Sequence, residues 1–224
     1  MPSLGQVSAH AVKAAINVSM PMNTPRYDSI VTAIGYDVAA ARNAIVADVL
    51  AATTRGGDRV SHLFWIDDDV IVSESALTQL YYRNLPMVSG YYYAKTTPPQ
   101  PLILPEKHGG VRMTFPPDTL LPVYAHGMGC TLIRREVFDA IEPPWFTTTI
   151  DERIETDGQV EHFTSTEDAA FCERAAAAGF QPMVDTGVFA FHWHQAELRA
   201  YPVEAWAEHR ARRSWRIPGH EVAA

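Results

Sequence analysis

The apolar run Leu63-Phe64-Trp65-Ile66 leads straight into three adjacent carboxylates, Asp67, Asp68 and Asp69, before the chain turns apolar again. Like charges this close repel unless something positive neutralises them, and the usual agent is a divalent cation with hard oxygen ligands. In an extended segment alternate residues share a face, which points Asp67 and Asp69 together and Asp68 away. The triplet also fits a solvated acidic loop, or an aspartate capping the helix that follows. A second group of metal-ligand type, His192 and His194 in "FHWH", closes the last expected strand and again puts two side chains on one face.

Two further stretches add chemistry. In "TSTED", Thr164-x-x-Glu167 and Ser165-x-x-Asp168 fit a helix-capping pattern, with acids placed favourably in the first turn. A carboxylate there, Asp168 with Glu167 beside it, also suits a general base that takes a proton from an attacking hydroxyl. In "HGMGC", Gly127 and Gly129 flank a methionine before an apolar strand; they either make a turn or let backbone approach a ligand closely.

These groups need elements to position them. Residues 14–20 are short, apolar and stopped by Pro21, which predicts a buried first strand. Residues 37–53 are alanine-rich with apolar side chains at helical spacing, and Gly56-Gly57 stop that helix. The strand into the aspartates comes next, then a helix from Ser73 or Ser75, then the strand "PMVSGYYYA". Strand and helix in alternation predict an α/β fold with a mostly parallel sheet covered by helices on both faces, its ligands at the carboxyl ends of the strands.

Prolines 98, 99, 101, 105, 116, 117 and 122 make residues 96–125 an insert of loops or a small hairpin laid over the sheet. "GCTLIRREVFDAI" reads as a strand feeding a short helix, residues 145–163 as a mobile loop near a ligand, and "TEDAAFCERAAAAG" as a helix stopped by Gly179. The strand "PMVDTGVFAFHWH" follows, and then an amphipathic tail helix interrupted near Pro202. That divides the chain into residues 1–195, a catalytic domain carrying the insert, and a helical tail over 196–224.

At 224 residues and 47% hydrophobic, the chain can bury one sizeable core. A net charge of −8 argues against a general electrostatic nucleic-acid binder. Arginines cluster in the tail between Arg199 and Arg216, either as a solvated face or as a clamp on a polyanion. Cys130 and Cys172 lie in apolar stretches and read as buried thiols. With no secretory pattern at the N-terminus and no membrane-spanning segment, the expected location is cytoplasmic.

The order of "IDDD", a glycine loop into "GCTLIRREVFDAI", a "TED" opening a helix, and a late histidine after "VDTGVFAF" resembles the GT-A-fold nucleotide-sugar glycosyltransferases. It is most similar to small bacterial and phage-encoded members related to the inverting family-two group, over residues 14–194. The resemblance implies a Rossmann-like GT-A sheet, a nucleoside-diphosphate sugar donor and Mn²⁺ or Mg²⁺. By position it assigns Asp67 and Asp69 to the DxD motif, as ribose or metal contacts, and His192, with His194 in reserve, to the metal. It assigns Asp168, beside Glu167, to the base. Asp67, Asp68, Arg42, Asn43, Gly127 and Gly129 fall against the nucleotide sugar. The base-reading aspartate of such relatives has only Asp28 as a counterpart, outside any clear strand, and the acceptor is not identified: a glycan, a protein, a small molecule or a hydroxylated base in phage DNA.

The expected function is therefore a metal-dependent, inverting glycosyltransferase. Two other classes stay open. One is a metal-dependent phosphohydrolase or sugar nucleotidyltransferase, although "SMPMNTPR" lacks the glycine-rich signature of the latter. The other is a non-catalytic module that binds sugar nucleotides or glycans.

Overall fold

The computed structural model describes residues 2–3, 8–21, 32–34, 37–53, 57–154 and 160–213. Its elements begin with β1 (Pro2–Ser3), α1 (Ala9–Ile16), β2 (Ala33–Ile34), α2 (Val38–Ala51), β3 (His62–Ile66), β4 (Val70–Ile71) and α3 (Ala76–Tyr82). The middle of the chain holds β5 (Met87–Tyr91), β6 (Ile103–Leu104), β7 (Leu120–Pro122), β8 (Ala125–His126), β9 (Cys130–Arg134) and α4 (Arg135–Asp139). The remainder is β10 (Thr149–Ile154), β11 (Val160–Ser165), α5 (Glu167–Ala177), β12 (Met183–Phe189), β13 (Phe191–His194), β14 (Arg199–Tyr201) and α6 (Val203–Arg213).

The α/β class is as expected, but the sheet is mixed rather than mostly parallel. Its five strands lie in the order β3-β9-β5-β12-β7. Helix α3 carries the chain from β3 to β5, which point the same way, yet β9 runs back between them and pairs antiparallel with both. Within this sheet only β5 and β12 pair in parallel, and β7, from the proline-rich insert, closes the edge antiparallel to β12. A strand returning through the slot between two parallel neighbours turns both ladders antiparallel. The carboxyl ends of β3, β5 and β12 and the start of β9 therefore share one edge.

The alternation of side chains explains why both faces are covered. Leu63 and Trp65 of β3, Met87 of β5 and Ile133 of β9 pack with α2, α4 and α5 through Ile45, Val46, Phe138 and Phe171. Their neighbours Ile66, Val88 and Leu132 face the other way, against Ala76, Leu77 and Leu80 of α3.

Several expectations change. Residues 9–16 form a helix where a strand was expected to begin at residue 14: the alanine-rich run favours helix, and Ser8 caps it by accepting from the Ala11 N–H at 3.4 Å. In place of a loop over 145–163, β10 and β11 form an antiparallel pair with Thr149 opposite Ser165. The last long strand breaks at Ala190, and β13 leaves the main sheet to join β14 and β4 in a second one. Pro202 follows β14 and precedes α6 rather than interrupting a helix, so the expected boundary at 195/196 falls inside the β13–β14 hairpin. Gly179, at φ +91°, ends α5 as expected, with Phe180 N–H donating to the Ala175 carbonyl at 2.9 Å. Asp28 lies outside the described residues, as does part of the arginine-rich tail. Among the described residues no helix is long and apolar enough to cross a membrane.

Candidate functional site

The aspartate triplet is a turn, which corrects the expectation that an extended backbone aims Asp67 and Asp69 the same way. Strand β3 stops at Ile66, and the Val70 N–H donates back to the Asp67 carbonyl at 3.1 Å, so the three acids fan out between β3 and β4. Each flanking acid then meets its own cation.

Asp67 turns toward Arg42 of α2, with Oδ1 3.1 Å from Nη1 and Oδ2 3.3 Å from Nη2. The same guanidinium lies 3.2 Å from Asp168 Oδ1 and 3.5 Å from Glu167 Oε1, so one buried arginine gathers three carboxylates. Its carbon stands 5.6 Å from the Trp65 ring centre and 5.7 Å from that of Phe146. Burial alone would depress this guanidinium's pKa, but Asp67, Asp168 and Glu167 lift it above its ordinary value. Asn43 does not reach into the acids. Its amide nitrogen donates to the Phe146 carbonyl at 2.7 Å and its oxygen accepts from the Phe146 N–H at 3.0 Å, fixing the segment whose ring flanks Arg42.

Asp69 turns toward the other side. Its Oδ2 pairs with the Lys95 ammonium and lies 3.4 Å from His192 Nε2. The second sheet brings the histidine there: Val70 of β4 pairs with His192, and the Trp193 N–H donates to the Asp69 carbonyl at 2.7 Å. Burial raises the Asp69 carboxyl, but hydrogen bonding and charge from His192 and then Lys95 outweigh it and bring it down to about 2. His192 Nδ1 is 2.9 Å from the Tyr93 carbonyl. A carbonyl only accepts, so Nδ1 carries the hydrogen; in the neutral ring Nε2 then presents a lone pair to a carboxylate. Two acceptors facing one another at that distance call for a proton or a metal ion between them.

Asp168 sits in the first turn of α5, two residues past its cap. The N-cap is Thr166, which accepts from the Ala169 N–H at 3.5 Å, rather than Thr164 or Ser165. The glycine loop reaches across, and the Met128 N–H donates to Asp168 Oδ2 at 3.0 Å. Burial, opposed by Arg42 and reinforced by Glu167 and Asp67, pushes the Asp168 carboxyl up to about 7. Its side chain is 19% exposed, so a proton can still enter or leave. Gly129 is needed for close approach: a Cβ there would lie 2.6 Å from Val70 Cγ2 and 3.0 Å from Asp67 Oδ2. Its N–H donates to the buried Tyr92 hydroxyl at 3.0 Å, and a Cβ on Gly127 would collide with that hydroxyl.

One sheet edge thus brings together Arg42, Asp67, Asp69, Gly127, Gly129, Glu167, Asp168 and His192. His194 is turned away, its Nδ1 accepting from the Glu197 N–H at 3.2 Å. Asp68 bonds through its carbonyl to the Ser8 N–H at 3.1 Å. Sequence reasoning missed Lys95, which follows the "YYY" run, and did not foresee that Arg42 gathers the acids; Tyr92, which its type makes either a core aromatic or a stacking platform for a sugar or base, is buried. Cys130 and Cys172 are free buried thiols, as expected, each pushed up to about 12 by burial.

Among the described residues no three of His, Cys, Asp and Glu form a ready-made metal cage. Asp69 and His192 still fit Mn²⁺ or Mg²⁺ as a two-ligand site, since such ions are often bound by one or two side chains plus substrate phosphates. Asp67, occupied by Arg42, does not join them. Four carboxylates (Asp67, Asp69, Glu167, Asp168) meet two cations, Arg42 and Lys95, leaving a formal surplus of two negative charges.

No family model matches the chain, and no curated protein matches it. Among solved structures it is similar to the crystal structure of A197 from STIV, with a TM-score of 0.58 at 19% identity over 87% of this chain and 83% of that one. At this identity the likeness concerns the fold alone: the chain has a mixed α/β architecture similar to that of A197 from STIV.

Proposed function

We propose that the protein is a metal-dependent glycosyltransferase of the GT-A type, moving a sugar from a nucleoside-diphosphate sugar to an acceptor hydroxyl with inversion. The observation that carries this reading is His192 Nε2 set 3.4 Å from Asp69 Oδ2, with Nδ1 turned to the Tyr93 carbonyl, a pair that a divalent ion in place of a proton would satisfy. A bound Mn²⁺ or Mg²⁺ would neutralise charge developing on the leaving diphosphate.

The chain's own residues do the rest. Asp168, held by the Met128 N–H and by Arg42, accepts the proton of the acceptor hydroxyl as the oxygen–carbon bond forms and the bond to the diphosphate breaks. A carboxyl raised to about 7 is basic enough for that task and still ionised in a useful fraction at neutral pH. Arg42 orients Asp168 and Asp67 from behind, and glycine at 127 and 129 lets Tyr92 and Val70 pack closely under the loop whose Met128 N–H holds Asp168. The net charge of −8 disfavours a polyanionic acceptor such as DNA and favours a neutral glycan, protein side chain or small molecule.

The test is a thermal-shift panel of UDP-, GDP- and dTDP-sugars with and without Mn²⁺. A ligand at 100 times its Kd adds about 2.7 kcal/mol, which for a chain of this size raises Tm by roughly 5–10 °C. One nucleotide class should give that rise only with the ion present. Flat melting curves across the whole panel would remove the reading.

A further inference from the structure

The inference here rests on the reading of Asp69 and His192 as ion ligands and extends it to a residue outside that pair. We propose that Lys95 is a built-in counter-ion that holds Asp69 until a divalent ion displaces it, so that Lys95 sets how tightly the ion binds.

The geometry points to one contested atom. Asp69 Oδ2 is the oxygen that faces His192 Nε2 and also the oxygen that pairs with the Lys95 ammonium. An ammonium and a dication set against the same carboxylate oxygen repel one another, so the ion binds there at the expense of the lysine pair. Lys95 and the ion are therefore alternatives at the same place.

The mounting of Lys95 suits such an exchange. The backbone just before it is pinned: the Ala94 N–H donates to the Gln100 carbonyl at 2.8 Å, and the Leu102 N–H donates to the Tyr92 carbonyl at 2.9 Å. The Tyr93 carbonyl beside it accepts from His192 Nδ1, so the same segment that carries the lysine also fixes the tautomer of the histidine. The ammonium is carried on a flexible four-carbon stem with its side chain 24% exposed, free to swing without moving the backbone. Arg42 is mounted the other way, fully enclosed between Trp65 and Phe146, and stays in place. Of the two cations that meet the acids, one is permanent and one is exchangeable.

Once displaced, a lysine charge beside an ion site favours an anionic partner, and a diphosphate supplies one. Ion and donor should then each strengthen the binding of the other.

Mn²⁺ binding to the full chain, followed by the loss of the free-ion paramagnetic resonance signal with no nucleotide present, tests this directly. Lys95→Met and Lys95→Gln are expected to bind Mn²⁺ about tenfold or more tightly than the parent, because a charge-assisted competitor has been removed. Lys95→Arg keeps the charge and should stay near the parent value. Lys107→Met removes a lysine paired with Glu173 instead, and should change nothing. Adding Asp69→Asn to Lys95→Met should abolish the gain. If the parent binds Mn²⁺ and both neutral variants bind it no better, Lys95 is not the competitor and the inference alone falls. If no variant binds Mn²⁺ even with UDP and GDP added, this inference and the ion reading fall together.

Discussion

At the scale of single residues, Asp168 carries the sharpest expectation. A base raised to about 7 is ionised only above that value, so turnover should climb with pH through neutrality and level off on the alkaline side. Asp168→Asn should lower kcat by about 10²-fold or more and flatten that limb of the profile; a variant with near-normal turnover, or a parent profile flat from pH 5 to 8, would take Asp168 out of the mechanism. The effect on stability has the opposite sense. Between the ordinary carboxyl value near 4 and about 7 the folded chain holds a proton that the unfolded chain has released, so stability falls as pH rises across that window. Asp69, lowered to about 2, contributes stability that is present above its ordinary value and lost as pH falls through 4 toward 2. The types and order of these acids were legible in the sequence because carboxylates at a strand end and in a helix's first turn are local patterns. Their partners were not: Arg42 is far in sequence from Asp168 and Lys95 from His192, and no periodicity announces an ion pair closed by the fold.

At the scale of elements, the glycine loop into β9 is the tightest joint. Gly129 has Val70, Asp67 and Tyr92 all within touching distance of where a side chain would start. Gly129→Ala should cost about 1–3 kcal/mol through overpacking, a drop in Tm of roughly 3–10 °C, and should disturb Asp67 in the same stroke. Unchanged melting would mean that β9 can slide to make room. Here the sequence was informative where the rule is local. Asp37 caps α2 by accepting from the Ala40 N–H at 2.9 Å, and Gly179 stops α5, as their types predict. It misled where two structures suit one composition: the alanine-rich stretch after Ser8 fits a helix better than a strand, and the weakly patterned residues 149–154 pair with 160–165 as two antiparallel strands. Ladder hydrogen bonds, not side-chain periodicity, hold such a pair.

At the scale of the whole molecule, the C-terminal segment belongs to the site's framework. Trp206 of α6 packs on Phe191 and Trp193, with ring centres 5.2 and 5.9 Å away, and β14 pairs with the strand that bears His192. Trp206→Ala should destabilise by about 3–5 kcal/mol and loosen His192 as well, read as weaker Mn²⁺ binding at a temperature where the fold persists. Normal ion binding by a folded Trp206→Ala chain would show that β13 holds its place without the tail. The α/β class and the helices on both faces were legible from alternating strands and helices. The direction of β9 was not, because side-chain alternation reads the same in a parallel and an antiparallel strand.

The break at Ala190 has a consequence in time. The acid turn and Lys95 are synthesised well before His192, which reaches Asp69 through the pairing of β13 with β4 in the small sheet. During synthesis the acid turn can therefore meet its lysine before its imidazole exists, and the centre is complete only once that long-range pairing has formed.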